Sequence, residues 1–164
     1  MALAPDAVRR LKKAGVEVVV ERGAGARAFL ADAAFEAAGA RLGDRAEALA
    51  APVVATVRGL ASADLDGLAD GAVVIGLLRP LDEAEPIHQF AQRGVTALAM
   101  ELVPRTTKAQ KMDALSAMST VAGYRAALLA ALHLPKFFPL LTTAAGTVRP
   151  AKVLVLGAGV AGLQ

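Results

Sequence analysis

Arg105, Gln110, Asp113 and Ser116 are residue types that hold a polar ligand by hydrogen bonds rather than attack it. A guanidinium offers a planar fork of donors, and an amide offers both a donor and an acceptor. With a carboxylate and a hydroxyl, the set can orient a carboxamide such as a nicotinamide ring, Asp113 holding Arg105 in place. Gln110, Asp113 and Ser116 recur at i, i+3 and i+6, a polar diagonal over about 120° of a helix. Arg105 stands just upstream, in the segment feeding that helix. The plainer reading is a solvated helix start with an Arg–Asp pair. Spacing alone leaves both open.

A second set is Gly157-x-Gly159-x-x-Gly162, which follows the apolar run KVLVL and opens into VAGL. In a dinucleotide turn the first glycine permits the bend. The second lets backbone approach a pyrophosphate, and the third lets helix pack on strand. The anion then sits at the helix start. The competing reading is a structural glycine turn. The acidic residue expected about 20 positions on, which separates NAD from NADP, lies beyond Gln164.

The remaining candidates are weaker. His88 and His133 are the only imidazoles, and neither has a carboxylate or second histidine at ligand spacing. Gly23-Ala24-Gly25 reads as a strand-to-helix bend, with anion binding as the alternative. Arg58 and Arg79 each close a predicted strand, a position that faces the ligand crevice in open α/β sheets and is also common for solvated charges.

These residues need elements to hold them. Apolar runs without polar alternation, Val16–Val20, Val53–Val57, Ala72–Leu78 and Val95–Met100, predict buried strands. Between them fall helical stretches: Pro5 to Gly15, Phe29–Ala38, Asp44–Ala50, Asp64–Ala69 and Asp82–Arg93. The alternation predicts an α/β fold, a parallel sheet covered by helices on both faces in the Rossmann-like manner. A long linking helix follows over residues 108–134, with an apolar face stepping through Leu115, Met118, Ala122, Leu129 and Leu132, broken by Arg125. Residues 135–164 read as a Pro/Thr/Gly-rich connector and then the first strand (Lys152–Leu156) and turn of a second Rossmann domain. The predicted division is 1–107, 108–134 and 135–164.

Composition bounds the function. Hydrophobic residues make up 55% of the 164 positions, enough for a real core. Scattered basic groups, a net charge of +3 and 4% aromatics without tryptophan argue against a nucleic-acid surface. Without cysteine there is no disulfide, thiol catalysis or zinc ribbon, which suits a reducing compartment. No uninterrupted apolar run reaches the ~18 residues of a membrane span, and no leader precedes the first helix.

The segments MELVPRTTKAQKMDALSAM, AGYRA and FFPLLTTAAGTVRPAKVLVLGAGVAGLQ resemble the alpha subunit, the NAD(H)-binding domain I, of proton-translocating NAD(P) transhydrogenases in the alanine dehydrogenase/transhydrogenase family. The resemblance is strongest from Val95 to Gln164 and weaker back to MALAPDAV. It implies hydride transfer between NAD(H) here and NADP(H) on a partner subunit, coupled to proton translocation through a membrane part. Carried over, the group beside the nicotinamide matches Arg105, Gln110, Asp113 and Ser116, and the pyrophosphate glycines match Gly157, Gly159 and Gly162. No residue is implied as catalytic acid or base, and no metal. The resemblance also implies a homodimer on the cytoplasmic side, held to the membrane by partner subunits without a span of its own.

Alanine dehydrogenase shares the architecture but uses a lysine and a histidine for its keto acid. Arg58 and Arg79 stand in those neighbourhoods, and RTTKAQKMD is not a dehydrogenase feature. Members of the family begin with a strand before the first helix, and their nucleotide domain continues past its first turn. The chain thus reads as a fragment, inactive by itself and with poor NAD affinity. Its alternatives are an alanine dehydrogenase-like oxidoreductase or a non-catalytic docking and dimerisation domain.

Overall fold

The computed structural model describes residues 1–164, which divide into two compact units, Met1–Val103 and Pro104–Gln164. In the first unit, α1 (Pro5–Lys13) starts with proline and Asp6 and ends with Arg10, Lys12 and Lys13, in agreement with the helix dipole. It buries Val8 completely. Next come β1 (Val19–Glu21), α2 (Asp32–Ala37), β2 (Arg41–Gly43) and α3 (Arg45–Leu49). β1 and β2 pair in parallel. Then β3 (Val53–Arg58), α4 (Ser62–Leu65), β4 (Val73–Leu77), α5 (Ala84–Gln92) and β5 (Thr96–Ala99) form a second parallel ladder in the order β3-β4-β5.

The expected α/β class with parallel strands and intervening helices holds, while the hydrogen-bonded ladder comes in two pieces. Each piece has its own core. Phe35, Val8, Val20, Ala38 and Ala40 fill one, and Val54, Val74, Leu65, Leu78 and Phe90 are among those filling the other. The face of β3-β4-β5 bearing Val54 and Val74 is dry. The opposite face leaves Val53 55% and Leu98 48% exposed. Arg45, the first residue of α3, ties the unit together. Its guanidinium donates to both carboxylate oxygens of Asp64 (2.7 and 2.6 Å) and to Glu21 (3.1 Å). That pairing holds the Asp64 carboxyl below its usual range.

Several boundaries move for local reasons. The expected strand Val16–Val20 begins only at Val19, because Val16 N–H still closes on Leu11 O, at the end of α1. The expected helix Phe29–Ala38 starts at Asp32. A 3-10 turn, Ala26–Ala28, ends at Phe29 in the left-handed region (φ 57), which no α-helix continues through. β2 was not expected, since three residues carry no period.

In the second unit, the helix expected over 108–134 is α6 (Ala114–His133), preceded by a separate 3-10 turn, Thr107–Met112. The two are separated at Asp113, whose φ/ψ of −76/82 is not helical. The connector holds an unexpected hairpin, β6 (Leu141–Thr143) with β7 (Gly146–Val148), closed through Ala144-Ala145 and Gly146 at φ 136. The expected strand Lys152–Leu156 is absent as a strand: no segment pairs with it, and Leu154 is 83% exposed. A strand exists only by its ladder. A short helix, α7 (Val160–Leu163), ends the chain.

No uninterrupted apolar run reaches the length of a membrane span, and α6, interrupted by Ser116, Ser119, Thr120 and Arg125, is long and apolar enough to cross one by length and average composition alone. Its alanines and leucines carry the average past a single charge.

Candidate functional site

Asp113 is where the candidate group takes shape. It is the N-cap of α6: Ser116 N–H donates to one carboxylate oxygen (2.9 Å) and the Ser116 hydroxyl to the other (2.6 Å). Two of the four sequence-selected residues therefore meet directly, in a helix cap. Gln110 lies on the preceding 3-10 turn and Arg105 before it, both exposed. The expected polar diagonal along one helix is corrected: Gln110 and Ser116 stand on different elements, and Asp113 is the hinge between them. The expected Arg105–Asp113 ion pair is also absent. Both Asp113 oxygens are engaged by Ser116, and Arg105 acts only through its field.

The Ser116 hydroxyl first, then the Ser116 backbone, and more weakly Arg105 hold the Asp113 carboxyl below its ordinary value of 3.8. The folded form thus binds the proton less readily than the unfolded one. The cap contributes fully above 3.8 and is lost as pH falls through the lowered value. Acidification through the carboxylate range below 3.8 is expected to reduce the protection of the Ser116 amide relative to its intrinsic exchange rate. Asp113→Ala should already lack that protection at neutral pH and show no further loss of it on acidification. A persisting acid step in that variant would assign it to another carboxylate.

The glycine turn has the shape its spacing requires. Gly157 sits at φ 100, where a side chain is strained, and no atom lies within 4 Å of where a Cβ on Gly157 or Gly159 would stand. The backbone there is open to a ligand. Gly162 is tightly seated: a Cβ would strike the Gly157 carbonyl oxygen and lie 3.3 Å from Val155 Cγ1. Bend, open approach and close packing are the three demands of a pyrophosphate-binding turn, so these residues fit a dinucleotide.

The other candidates contribute nothing to this group. His88 and His133 are exposed. Arg58 is exposed and makes no ion pair, whereas the Arg79 guanidinium is taken by Asp82 (3.3 Å) and Glu83 (3.0 Å). Arg79 itself is left-handed (φ 51), and its N–H donates to Glu101, whose other oxygen is buried without a donor. Gly123 was missed. A Cβ there would strike the Ala161 carbonyl, and the available signal was a lone glycine inside twenty residues of strong helix former.

Comparison with known proteins adds to this geometry. The family described as "Alanine dehydrogenase/PNT, N-terminal domain" matches residues 1–122, and its C-terminal domain counterpart matches residues 126–164. NAD(P) transhydrogenase subunit alpha of Cereibacter sphaeroides is 46% identical over 165 residues, covering 99% of this chain and 32% of that protein. The crystal structure of transhydrogenase from Sinorhizobium meliloti superposes with a TM-score of 0.95 at 45% identity, over 99% of this chain and 49% of that one. Alanine dehydrogenase of Mycobacterium tuberculosis is more distant, 32% identical over 99% of the chain and 44% of its own length. The chain thus spans between 32% and 49% of the length of these relatives.

Proposed function

The chain belongs to the alanine dehydrogenase/PNT family, and from that premise we propose that it forms part of the NAD(H)-side subunit of an NAD(P) transhydrogenase. The glycine turn carries the reading, with Gly157 bent, Gly159 open and Gly162 packed. The choice of transhydrogenase over alanine dehydrogenase rests on the 46% against 32% identity. Gly157, Gly159 and Gly162 receive the pyrophosphate. Arg105, Gln110, Asp113 and Ser116 face the nicotinamide carboxamide, Asp113 and Ser116 fixing the helix start and Arg105 and Gln110 supplying free donors.

NAD(H), when bound, supplies or accepts the hydride. The residues of the chain orient it and supply no acid or base of their own. NADP(H) belongs to a partner subunit, and proton translocation to a membrane part. The subunit works as a homodimer, peripheral to the membrane on the cytoplasmic side. Residues 1–107 form its N-terminal domain, 108–134 the link, and 135–164 the opening of its nucleotide domain.

The test is an NADH titration of this chain beside the same chain continued through a whole C-terminal domain. Binding by the longer form is expected, with Arg105→Ala and Gln110→Ala each weakening it about 10- to 100-fold, as lost hydrogen bonds to a fixed ligand do. If neither form binds NADH, the glycine turn is structural and the reading fails. Turnover of alanine or pyruvate without NADP(H) would instead place the activity with the dehydrogenases.

A further inference from the structure

Gly123 lies in the body of α6, where glycine is the weakest helix former apart from proline. Its flanking residues, Ala122 and Tyr124, are exposed, so no core demands the gap. What occupies the space is backbone. A Cβ on Gly123 would strike the Ala161 carbonyl oxygen and stand 3.0 Å from both Ala161 C and Ala161 Cα. Main-chain atoms cannot swing aside as a side chain does, so α7 would have to move.

Moving α7 moves the turn. Ala161 is the second residue of that four-residue helix, one position from Gly162, which packs against the Gly157 carbonyl. Leu163 N–H donates to Gly159 O (3.0 Å), closing the helix onto the same loop. The contacts form one chain: α6 backbone at Gly123, α7 backbone at Ala161, then Gly162 on Gly157. Gly123 thereby sets how the loop between Gly157 and Gly159 is presented, though it is remote from it in sequence.

We propose that Gly123 is a positioning residue for dinucleotide binding, seating α7 and the Gly157–Gly162 turn against the long helix. The inference rests on the reading of that turn as the NAD(H) site.

Two variants separate positioning from helix stability. Gly123→Ala adds a methyl at the crossing while favouring α6 as a helix. Ala122→Gly weakens α6 by the same exchange in reverse and leaves the crossing untouched. Amide exchange is followed in the 164-residue chain, and NADH affinity in this chain and in its continued form. Gly123→Ala is expected to raise α6 helicity, to speed exchange at Leu163 about tenfold or more, and to weaken NADH about tenfold. Exchange at Val73 and Thr96, in the other unit, should not change. Ala122→Gly should leave NADH affinity within about twofold.

The proposal is overturned if Gly123→Ala keeps both Leu163 protection and NADH affinity. It is equally overturned if Leu163 loses protection while affinity holds, or if Ala122→Gly weakens NADH as much. In those three cases the unsubstituted protein still binds NADH, so the functional reading survives. Absence of NADH binding by either unsubstituted form removes that reading and the positioning role together.

Discussion

Truncating Phe35 to alanine is expected to cost about 3–5 kcal/mol, the range for deleting a large buried aromatic side chain. Phe35 is 0% exposed and is the largest member of a small core that also holds Val8, Val20, Ala38 and Ala40. Two of those neighbours are alanines, which cannot swing in to fill the void. Against an ordinary domain stability of about 5–15 kcal/mol, the loss is severe. Phe29, six residues earlier, is 98% exposed, and its truncation should move stability by no more than about 0.5 kcal/mol. Phe29→Gly should even stabilise, since the left-handed φ of 57 suits glycine.

The division of the core sharpens the prediction. Phe35 belongs to the cluster beneath β1 and β2, while β3, β4 and β5 close over a different one. In Phe35→Ala, amide exchange should therefore accelerate most at Arg22 and Arg41, which bond across or beside the β1–β2 ladder to Gly43 O and Val18 O. Val73 and Thr96, bonded to Pro52 O and Ala72 O, should retain more protection. Uniform acceleration across Met1–Val103 would mean that the two clusters melt as one body, and the Arg45 links to Glu21 and Asp64 would be the first place to look for the coupling.

The fold was legible wherever chain chemistry acts locally. The unbroken apolar runs at Val53–Val57 and Ala72–Leu78 became paired parallel strands, β4 buried or half-buried along its length as such a run requires, while β3 leaves Val53 and Val57 exposed. Pro5, Asp6 and Gly15 bounded α1 for equally local reasons. Three features escaped. β2 is Arg-Leu-Gly, too short to show a period and formed only because β1 offers a partner. The hairpin at Leu141–Val148 reads as a connector, since Thr-Ala-Ala-Gly is not a strong turn signature. Lys152–Leu156 has the local marks of a strand, yet no ladder forms where no neighbour lies beside it.

The candidate site shows the same division. Glycine spacing foretold the bend and the packing, because Gly157 and Gly162 answer steric demands of the backbone itself, whereas Gly159 meets none in the free chain. The Arg105–Ser116 group was selected by residue type, and its expected arrangement along one helix does not hold. Helical spacing made Asp113 a member of a helix face, whereas its side chain does what an aspartate before a helix most readily does and caps it. Gly123 was invisible because its partner, Ala161, lies 38 positions away and reaches it through a carbonyl rather than a side chain.

Gly159→Ala is expected to separate a ligand-binding turn from a merely structural one. The position has φ −79 and no atom within 4 Å of an added Cβ, so alanine fits the free chain without strain. Melting and amide exchange should not change. A pyrophosphate brought against that backbone would meet the new methyl. Overpacking of about 1–3 kcal/mol corresponds to roughly 5- to 150-fold weaker NADH binding in the continued chain. Gly162→Ala should weaken binding as well, but by a different route. Its Cβ strikes the Gly157 carbonyl, so α7 is displaced and Leu163 loses protection in the free chain. Equal affinity in Gly159→Ala and the unsubstituted chain would show that nothing approaches the backbone there. In that event the glycines serve only to bend the chain and pack α7, and the dinucleotide site would have to lie elsewhere.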